Sequence, residues 1–132
     1  MLAVAFLAAL LVISSRLVDE GEIVMITTID PHGRDQVTEV WIVELPLGTY
    51  LRAGSPDVGW LERLRAHPEI TVERGGEVSS FRAVPDEGNA IREQVNQAMS
   101  EKYGFADRLW GRFSDRGHAI PIRLHAETVA AP

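Results

Sequence analysis

Short runs rich in β-branched residues, separated by turn signals, limit the fold more than any other feature of this chain. Six such runs are present, at residues 23–29, 37–43, 49–53, 69–74, 78–84 and 118–124. Most follow one another without an intervening helix, which favours antiparallel pairing because parallel strands need long crossover connections. The sequence therefore predicts a mainly β fold, a small six-stranded antiparallel barrel with helices covering its ends.

Helices are predicted at three places between the strands. A Ser-Pro-Asp sequence at residues 55–57 is typical of a helix start, and Pro68 ends that helix. Apolar residues at helical spacing predict a second helix over residues 86–103, ended by Gly104. One further helical turn is predicted over residues 109–113.

Charge and composition exclude several classes of function. The 132 residues include 19 acidic and 13 basic side chains, for a net charge of −6. Nucleic acid is therefore not an expected partner, because binding to phosphates needs a surplus of Lys and Arg. The absence of cysteine excludes disulfides and cysteine zinc sites. His118 and His125 are expected on opposite faces of one strand, so no metal site is predicted.

The first 13 residues are all apolar, and the first charged residue is Arg16. This run is shorter than the roughly 20 residues that a membrane span needs. It also lacks the preceding basic residues and the clear cleavage site of a secretory signal. Three interpretations stay open: the end of a membrane anchor, a signal-like segment, or a first helix packed on its own domain or on a partner. The first predicts membrane association through residues 1–15, and the alternative is a cytoplasmic protein.

These patterns divide the chain into three parts. Residues 1–22 form an apolar N-terminal helix and a joint, residues 23–125 form the barrel domain, and residues 126–132 form a frayed tail. The acidic residues of the joint, among them Glu22, are expected to be solvated.

Several segments of the barrel domain together resemble a known family. They are VMITT (24–28), VWIV (40–43), YLRAG (50–54), GWLERLRAHPEITV (59–72), KYG (102–104) and IPIRL (120–124). With these segments, residues 23–125 resemble the flavin- and deazaflavin-dependent split-barrel oxidoreductases, relatives of the pyridoxamine-phosphate oxidases and similar to deazaflavin-dependent nitroreductases. The resemblance implies a split barrel of the FMN-binding type.

The same resemblance implies a function. Such domains pair as homodimers and hold FMN or a deazaflavin (coenzyme F-420) between subunits, and the coenzyme reduces a small organic substrate. However, the basic phosphate-binding turn of the family is replaced here by a turn that contains Asp30 and Asp35, and Glu39 follows it. The alternative is therefore a split-barrel binding or assembly module without a cofactor, and whether the chain is an enzyme stays open.

The resemblance also implies which residues bind the cofactor, although it indicates no catalytic residue. These are Arg34 and Arg52 near the phosphates, Thr27, Thr28 and Thr38 as hydroxyl donors, and Trp41 and Trp60 beside the ring. Each has a structural alternative: Trp60 suits core packing, the threonines are good strand formers, and Arg34 suits a solvated turn.

Overall fold

The structure, a computed structural model, describes residues 21–127, which form one sheet and three α-helices. The strands are β1 (Val24–Ile29), β2 (Asp35–Val40), β3 (Ile42–Leu45), β4 (Gly48–Ala53), β5 (Glu69–Arg74), β6 (Glu77–Pro85) and β7 (Ile120–Ala126). The helices are α1 (Gly59–Ala66), α2 (Asn89–Tyr103) and α3 (Phe105–Phe113), and a short 3-10 turn (Arg116–His118) precedes β7.

The predicted N-terminal helix and most of the predicted tail lie outside the described residues. None of the helices within residues 21–127 combines the length and the apolar character needed to cross a membrane.

All strand pairs are antiparallel, and the sheet has the order β2-β1-β5-β6-β7-β4-β3. β2 and β3 are consecutive in the chain and separated by Trp41 alone, yet they form opposite edges of the sheet. The sheet must therefore curl until its two edges meet near Trp41. This curled antiparallel sheet confirms the prediction of a mainly β split barrel.

The predicted strand count is wrong, because the described residues contain seven strands and not six. The run at 37–43, expected as one strand, is divided at Trp41. Val40 on one side pairs with Val24 of β1, whereas Ile42 on the other side pairs with Leu51 of β4. The chain thus changes its pairing partner within two residues, and no single straight strand can do this.

Two predicted helix starts lie too early. Ser55 accepts a hydrogen bond from the backbone N–H of Asp57 (3.3 Å), so the Ser-Pro-Asp sequence forms a turn and α1 begins at Gly59. Likewise, the Asp86 carboxylate accepts from the N–H of Gly88 (3.0 Å), and α2 begins one residue later. The predicted helix end at Gly104 is confirmed, because this residue has a φ of 54°.

Apolar side chains form two cores on the two sides of the curled sheet. The inner core is filled by residues of the strands together with Leu61 and Leu64 of α1. The outer core lies between β3–β4 and α2, and includes Tyr50, Met99 and Tyr103. Side-chain alternation along β4 supplies both cores, because Tyr50 faces α2 whereas Leu51 faces the barrel interior.

Tyr103, the last residue of α2, fixes the connection between β2 and β3 at Trp41. Its ring stacks on Trp41 with centroids 4.4 Å apart and planes 9° from parallel. Its hydroxyl accepts a hydrogen bond from the buried N–H of Ile42 (3.0 Å) and lies 2.8 Å from the carbonyl oxygen of Glu22. Burial raises the pKa of Tyr103 to about 12, so the hydroxyl keeps its proton at neutral pH. One side chain therefore fixes both the ring of Trp41 and the backbone beside it.

Glu22, expected to be solvated, forms ion pairs instead. Its carboxylate contacts Arg74 of β5 (3.0 Å) and Lys102 of α2 (2.6 Å). Burial alone would raise the pKa of Glu22, but hydrogen bonds from Arg74 and Lys102 outweigh it and the pKa lies below its ordinary value. These contacts anchor the start of the described chain to the end of α2.

Replacing the Tyr103 hydroxyl tests its structural role. The substitution Tyr103→Phe keeps the stacked ring but leaves the buried N–H of Ile42 without its acceptor, which costs about 1–3 kcal/mol. We expect the free energy of unfolding in urea to fall by that amount.

The matched control is Tyr50→Phe. Tyr50 belongs to the same core, but its hydroxyl makes no hydrogen bond within residues 21–127. An equal decrease in the free energy of unfolding for the two variants would show that the Tyr103 hydroxyl does not fix the β2–β3 connection and that ring packing does.

Candidate functional site

A cleft of about 480 Å³ opens where the two edges of the sheet meet, and its lining includes Trp41, Trp60 and Trp110. We call it the tryptophan cleft; Arg52, Glu39 and Ser114 also line it. Each indole comes from a different part of the fold. Trp41 lies at the passage between β2 and β3, Trp60 in the first turn of α1, and Trp110 on α3. The chain has three tryptophans in all, and the fold brings them to one place.

Arg52 lies in the cleft with its guanidinium group almost fully buried. Its Nη2 donates to Asp107 (2.6 Å) and its Nη1 to Asn96 (3.1 Å). The guanidinium carbon lies 3.8 Å from the ring centroid of Trp110, close enough for a cation–π interaction. Burial lowers the pKa of Arg52 against the opposing effect of Asp107. The guanidinium group nevertheless keeps its charge at neutral pH. Both terminal nitrogens thus have protein partners, and phosphate binding by Arg52 stays a prediction.

Asp107 provides the opposite charge and is completely buried. Its second carboxylate oxygen lies 2.8 Å from Arg116, without the geometry of a hydrogen bond. Arg116 also donates to the backbone carbonyl of Asp107 (2.7 Å), and its own carbonyl accepts from Asn96 (3.1 Å). Two cations and one anion therefore meet behind Trp110, and they fix α3 against β4 and α2.

Sequence reasoning missed Asp107 and Trp110 as site residues. An acidic residue in a predicted helical turn is usually solvated. One signal was present, because Asp107 and Trp110 are three positions apart and so share a helix face. An acidic residue on the same helix face as a tryptophan indicates that the carboxylate is buried with a basic side chain as its partner.

A second cavity of about 530 Å³ lies beside the β1–β2 turn, and we call it the turn groove. Its lining includes Asp30, Gln36, Glu62, Arg63 and His67. Residues 59 and 60 of α1 line the turn groove and the tryptophan cleft respectively, so the two cavities are neighbours along α1 and β2.

Arg63 gathers two of the predicted threonines at the turn groove. Its Nε donates to the hydroxyl of Thr28 (2.8 Å) and its Nη2 approaches the hydroxyl of Thr38 (3.5 Å). Because side chains alternate along β2, Thr38 shares a face with Gln36 of the turn groove and Val40 of the cleft. Arg63 was not singled out from the sequence, although it lies on the same helix as Trp60.

Thr27 and Arg34 lie apart from these cavities. Thr27 neighbours Thr28 in β1, and strand alternation directs the two side chains to opposite faces of the sheet, so cofactor binding by Thr27 stays a prediction. Arg34 is exposed in the β1–β2 turn, where its backbone N–H donates to Asp30 (2.9 Å). That hydrogen bond is the main cause that lowers the pKa of Asp30, so this carboxylate is charged at neutral pH.

The two cavities differ in what they can bind. Three indole rings around one cleft suit a flat, conjugated ring system. The turn groove offers the cation of Arg63, but the anions of Asp30 and Glu62 line it as well. Within residues 21–127, no cluster of three or more histidine or acidic side chains could hold a metal ion.

No protein-family model matches the sequence, and no curated protein matches it either. Solved structures do match. HutZ, the heme storage protein from Vibrio cholerae, is 18% identical with a TM-score of 0.65, covering 89% of this chain and 88% of HutZ. A putative pyridoxamine 5'-phosphate oxidase from Listeria innocua is 15% identical with a TM-score of 0.63, covering 88% and 91%. The F420-H2 dependent reductase FDR-A is 22% identical with a TM-score of 0.58, covering 78% and 94%.

TM-scores of 0.58 to 0.65 show a shared fold, and at these identities they show the fold alone. The chain therefore has the split-barrel fold of the pyridoxamine-phosphate-oxidase-like proteins, which confirms the fold that the resemblance implied.

The ion pair behind the cleft can be tested by Asp107→Asn. This substitution keeps the shape of the side chain but leaves the buried Arg52 without its counter-charge. Breaking a buried pair in this way costs about 3–5 kcal/mol. We expect this loss in urea unfolding, together with a change in the near-UV circular dichroism of the protein, to which Trp110 contributes.

The control for this variant is Glu87→Gln, which breaks an exposed pair with Arg65 of the same 2.6 Å length. Exposed pairs contribute about 0–1 kcal/mol. A loss for Asp107→Asn no larger than that of the control would contradict the role of this ion pair.

Proposed function

We propose that this split-barrel chain is an oxidoreductase that binds a deazaflavin (coenzyme F-420) or FMN in the tryptophan cleft and reduces a small organic substrate. The observation that carries the proposal is the meeting of Trp41, Trp60 and Trp110 around one cleft beside a buried guanidinium group. The proteins of similar structure include an F420-H2 dependent reductase and a putative pyridoxamine 5'-phosphate oxidase, and this supports the proposal.

In this proposal the residues of the chain bind and orient, because a bound flavin or deazaflavin itself supplies the hydride chemistry. The indoles of Trp41, Trp60 and Trp110 form apolar walls that exclude water from the ring. Arg52, paired with Asp107, holds α3 and the ring of Trp110 in position at one side of the cleft.

We propose that the phosphate group of the bound FMN or coenzyme F-420 lies toward the turn groove. Arg63 offers its guanidinium group there, with the hydroxyls of Thr28 and Thr38 beside it. Thr38 lies between the groove and the cleft on β2, so one elongated ligand along this strand reaches both. The carboxylate of Asp30 at the far end of the groove weakens this site for an anion.

A homodimer belongs to the same proposal. Large apolar side chains are exposed on the outer face of β1 and β2, among them Met25 (43%) and Val37 (64%). Burying these two side chains against a second copy is favourable.

A second candidate is a split-barrel binding or assembly module without a flavin-type cofactor. Asp30 and Glu39 at the two cavities favour it, because both repel phosphate, and the charge of Arg52 is already neutralised by Asp107. The similar structure of a heme storage protein makes heme a ligand to include in the test.

Titration of the full-length chain separates these functions. We expect FMN or coenzyme F-420 to quench tryptophan fluorescence with a dissociation constant in the micromolar range. Stacking on an aromatic side chain is worth about 1–3 kcal/mol, so Trp60→Leu should weaken binding by about 5- to 150-fold.

Leu47→Ala is the control, since Leu47 is 57% exposed in the β3–β4 turn and does not line the cleft. Circular dichroism of both variants checks that the fold is kept. Binding of neither FMN nor coenzyme F-420, or binding of hemin alone, would overturn the oxidoreductase in favour of the second candidate.

A further inference from the structure

α3 has two faces of opposite character. Asp107 is buried beneath the cleft and Trp110 lines it. Phe105, Leu109 and Phe113 are 71%, 45% and 86% exposed. These three residues are spaced four apart, so they form a continuous apolar stripe along the outer side of the helix. Exposed apolar side chains in such an array mark a contact surface, and we call this one the α3 stripe.

The described part of the chain begins in contact with the end of α2, which precedes α3. The Glu22 carboxylate binds Lys102 (2.6 Å), and the Glu22 carbonyl lies 2.8 Å from the hydroxyl of Tyr103. Lys102 and Tyr103 are the last residues of α2, and Phe105 begins α3 after one glycine. Residue 22 therefore contacts the side-chain ends of the two residues that precede Gly104 and α3.

We propose that the apolar segment at residues 1–13 packs against the α3 stripe of the same molecule. This segment has no charged or polar side chain, so one of its sides matches the stripe in character. Residues 14–21 connect it to Glu22, and eight extended residues span up to about 26–29 Å. α3 is about 13 Å long, so the segment reaches every position of the stripe.

Charge disfavours the docking of a second α3 on the stripe. Arg108 and Arg112 are exposed beside it, and two facing α3 helices would bring these like charges together. The segment at residues 1–13 carries no charge to repel them. Tethering also raises its effective concentration to the millimolar range, which favours it over a free partner.

Docking at this place steadies the tryptophan cleft. The stripe is the outer side of the helix whose inner side holds Asp107 and Trp110, so covering it opposes movement of α3 away from β4. The proposal itself depends only on the stripe and the position of Glu22, and it holds whatever the cleft binds.

Engineered cysteines test the docking in the full-length chain, which has no cysteine of its own. Leu109→Cys is combined in turn with Leu2→Cys, Phe6→Cys and Leu10→Cys, and each double variant is oxidised at low micromolar concentration. We expect at least one pair to form an intramolecular disulfide, seen as a faster monomer band on a non-reducing gel. Its yield should exceed that of the control by about tenfold or more, because docking holds the pair close.

The control replaces Leu109→Cys by Ala66→Cys. Ala66 is exposed and lies beside the β1–β2 turn, at the other end of β1 from Glu22. Adding Phe105→Asp and Phe113→Asp to the cross-linking pair should reduce its yield to the control level.

Three results would overturn the proposal. Disulfide-linked dimers would assign the stripe to a second copy. Yields equal to the control, with binding to anionic lipid vesicles that Phe113→Asp removes, would assign it to a lipid surface. Equal yields without vesicle binding would leave the segment undocked.

Discussion

The contact between Tyr103 and the Trp41–Ile42 backbone is the interaction on which this split barrel depends most. The chain passes there from one edge of the sheet to the other with one residue between two strands. The backbone at such a passage cannot pair fully with either edge, and a buried N–H without an acceptor is costly. Tyr103 supplies the acceptor and a stacking partner together. This contact also joins the point where the sheet edges meet to the outer core between β3–β4 and α2.

The position of the candidate site follows from the same contact. Trp41 stacks on Tyr103 and lines the tryptophan cleft, so the residue that marks the split in the barrel also begins the binding surface. The other side of the cleft depends on Asp107, which neutralises the buried Arg52 and holds α3 in place. A buried ion pair adds little net stability by itself, but it fixes the geometry because either charge alone would be costly. The stacking of Trp41 on Tyr103 thus fixes one side of the cleft, and the Arg52–Asp107 ion pair fixes the other.

Local signals in the sequence were sufficient for much of this fold. β5 has the predicted bounds, and the Gly75–Gly76 pair forms the predicted hairpin, with φ of 58° and 84° that glycine adopts easily. The division of residues 37–43 was not predictable in this way. Val40 and Ile42 both have high β propensity, and only their distant partners, Val24 and Leu51, show that they belong to different edges. Pairing over long sequence distances decides such boundaries.

The candidate site was likewise predictable only in part. The resemblance brought Trp41, Trp60 and Arg52 into one list, and the fold brings them into one cleft. It could not show that Arg52 is neutralised, because its partner Asp107 is 55 positions away in the sequence. It also placed Thr27 with Thr28, which strand alternation separates.

Whether the tryptophan cleft holds a flavin-type ring is tested by the visible absorption spectrum of the full-length protein, purified from its native cells without added cofactor. We expect the absorption band of a flavin or deazaflavin, lost when the ring is chemically reduced. A colourless protein, or one with the spectrum of a porphyrin, would contradict the proposal.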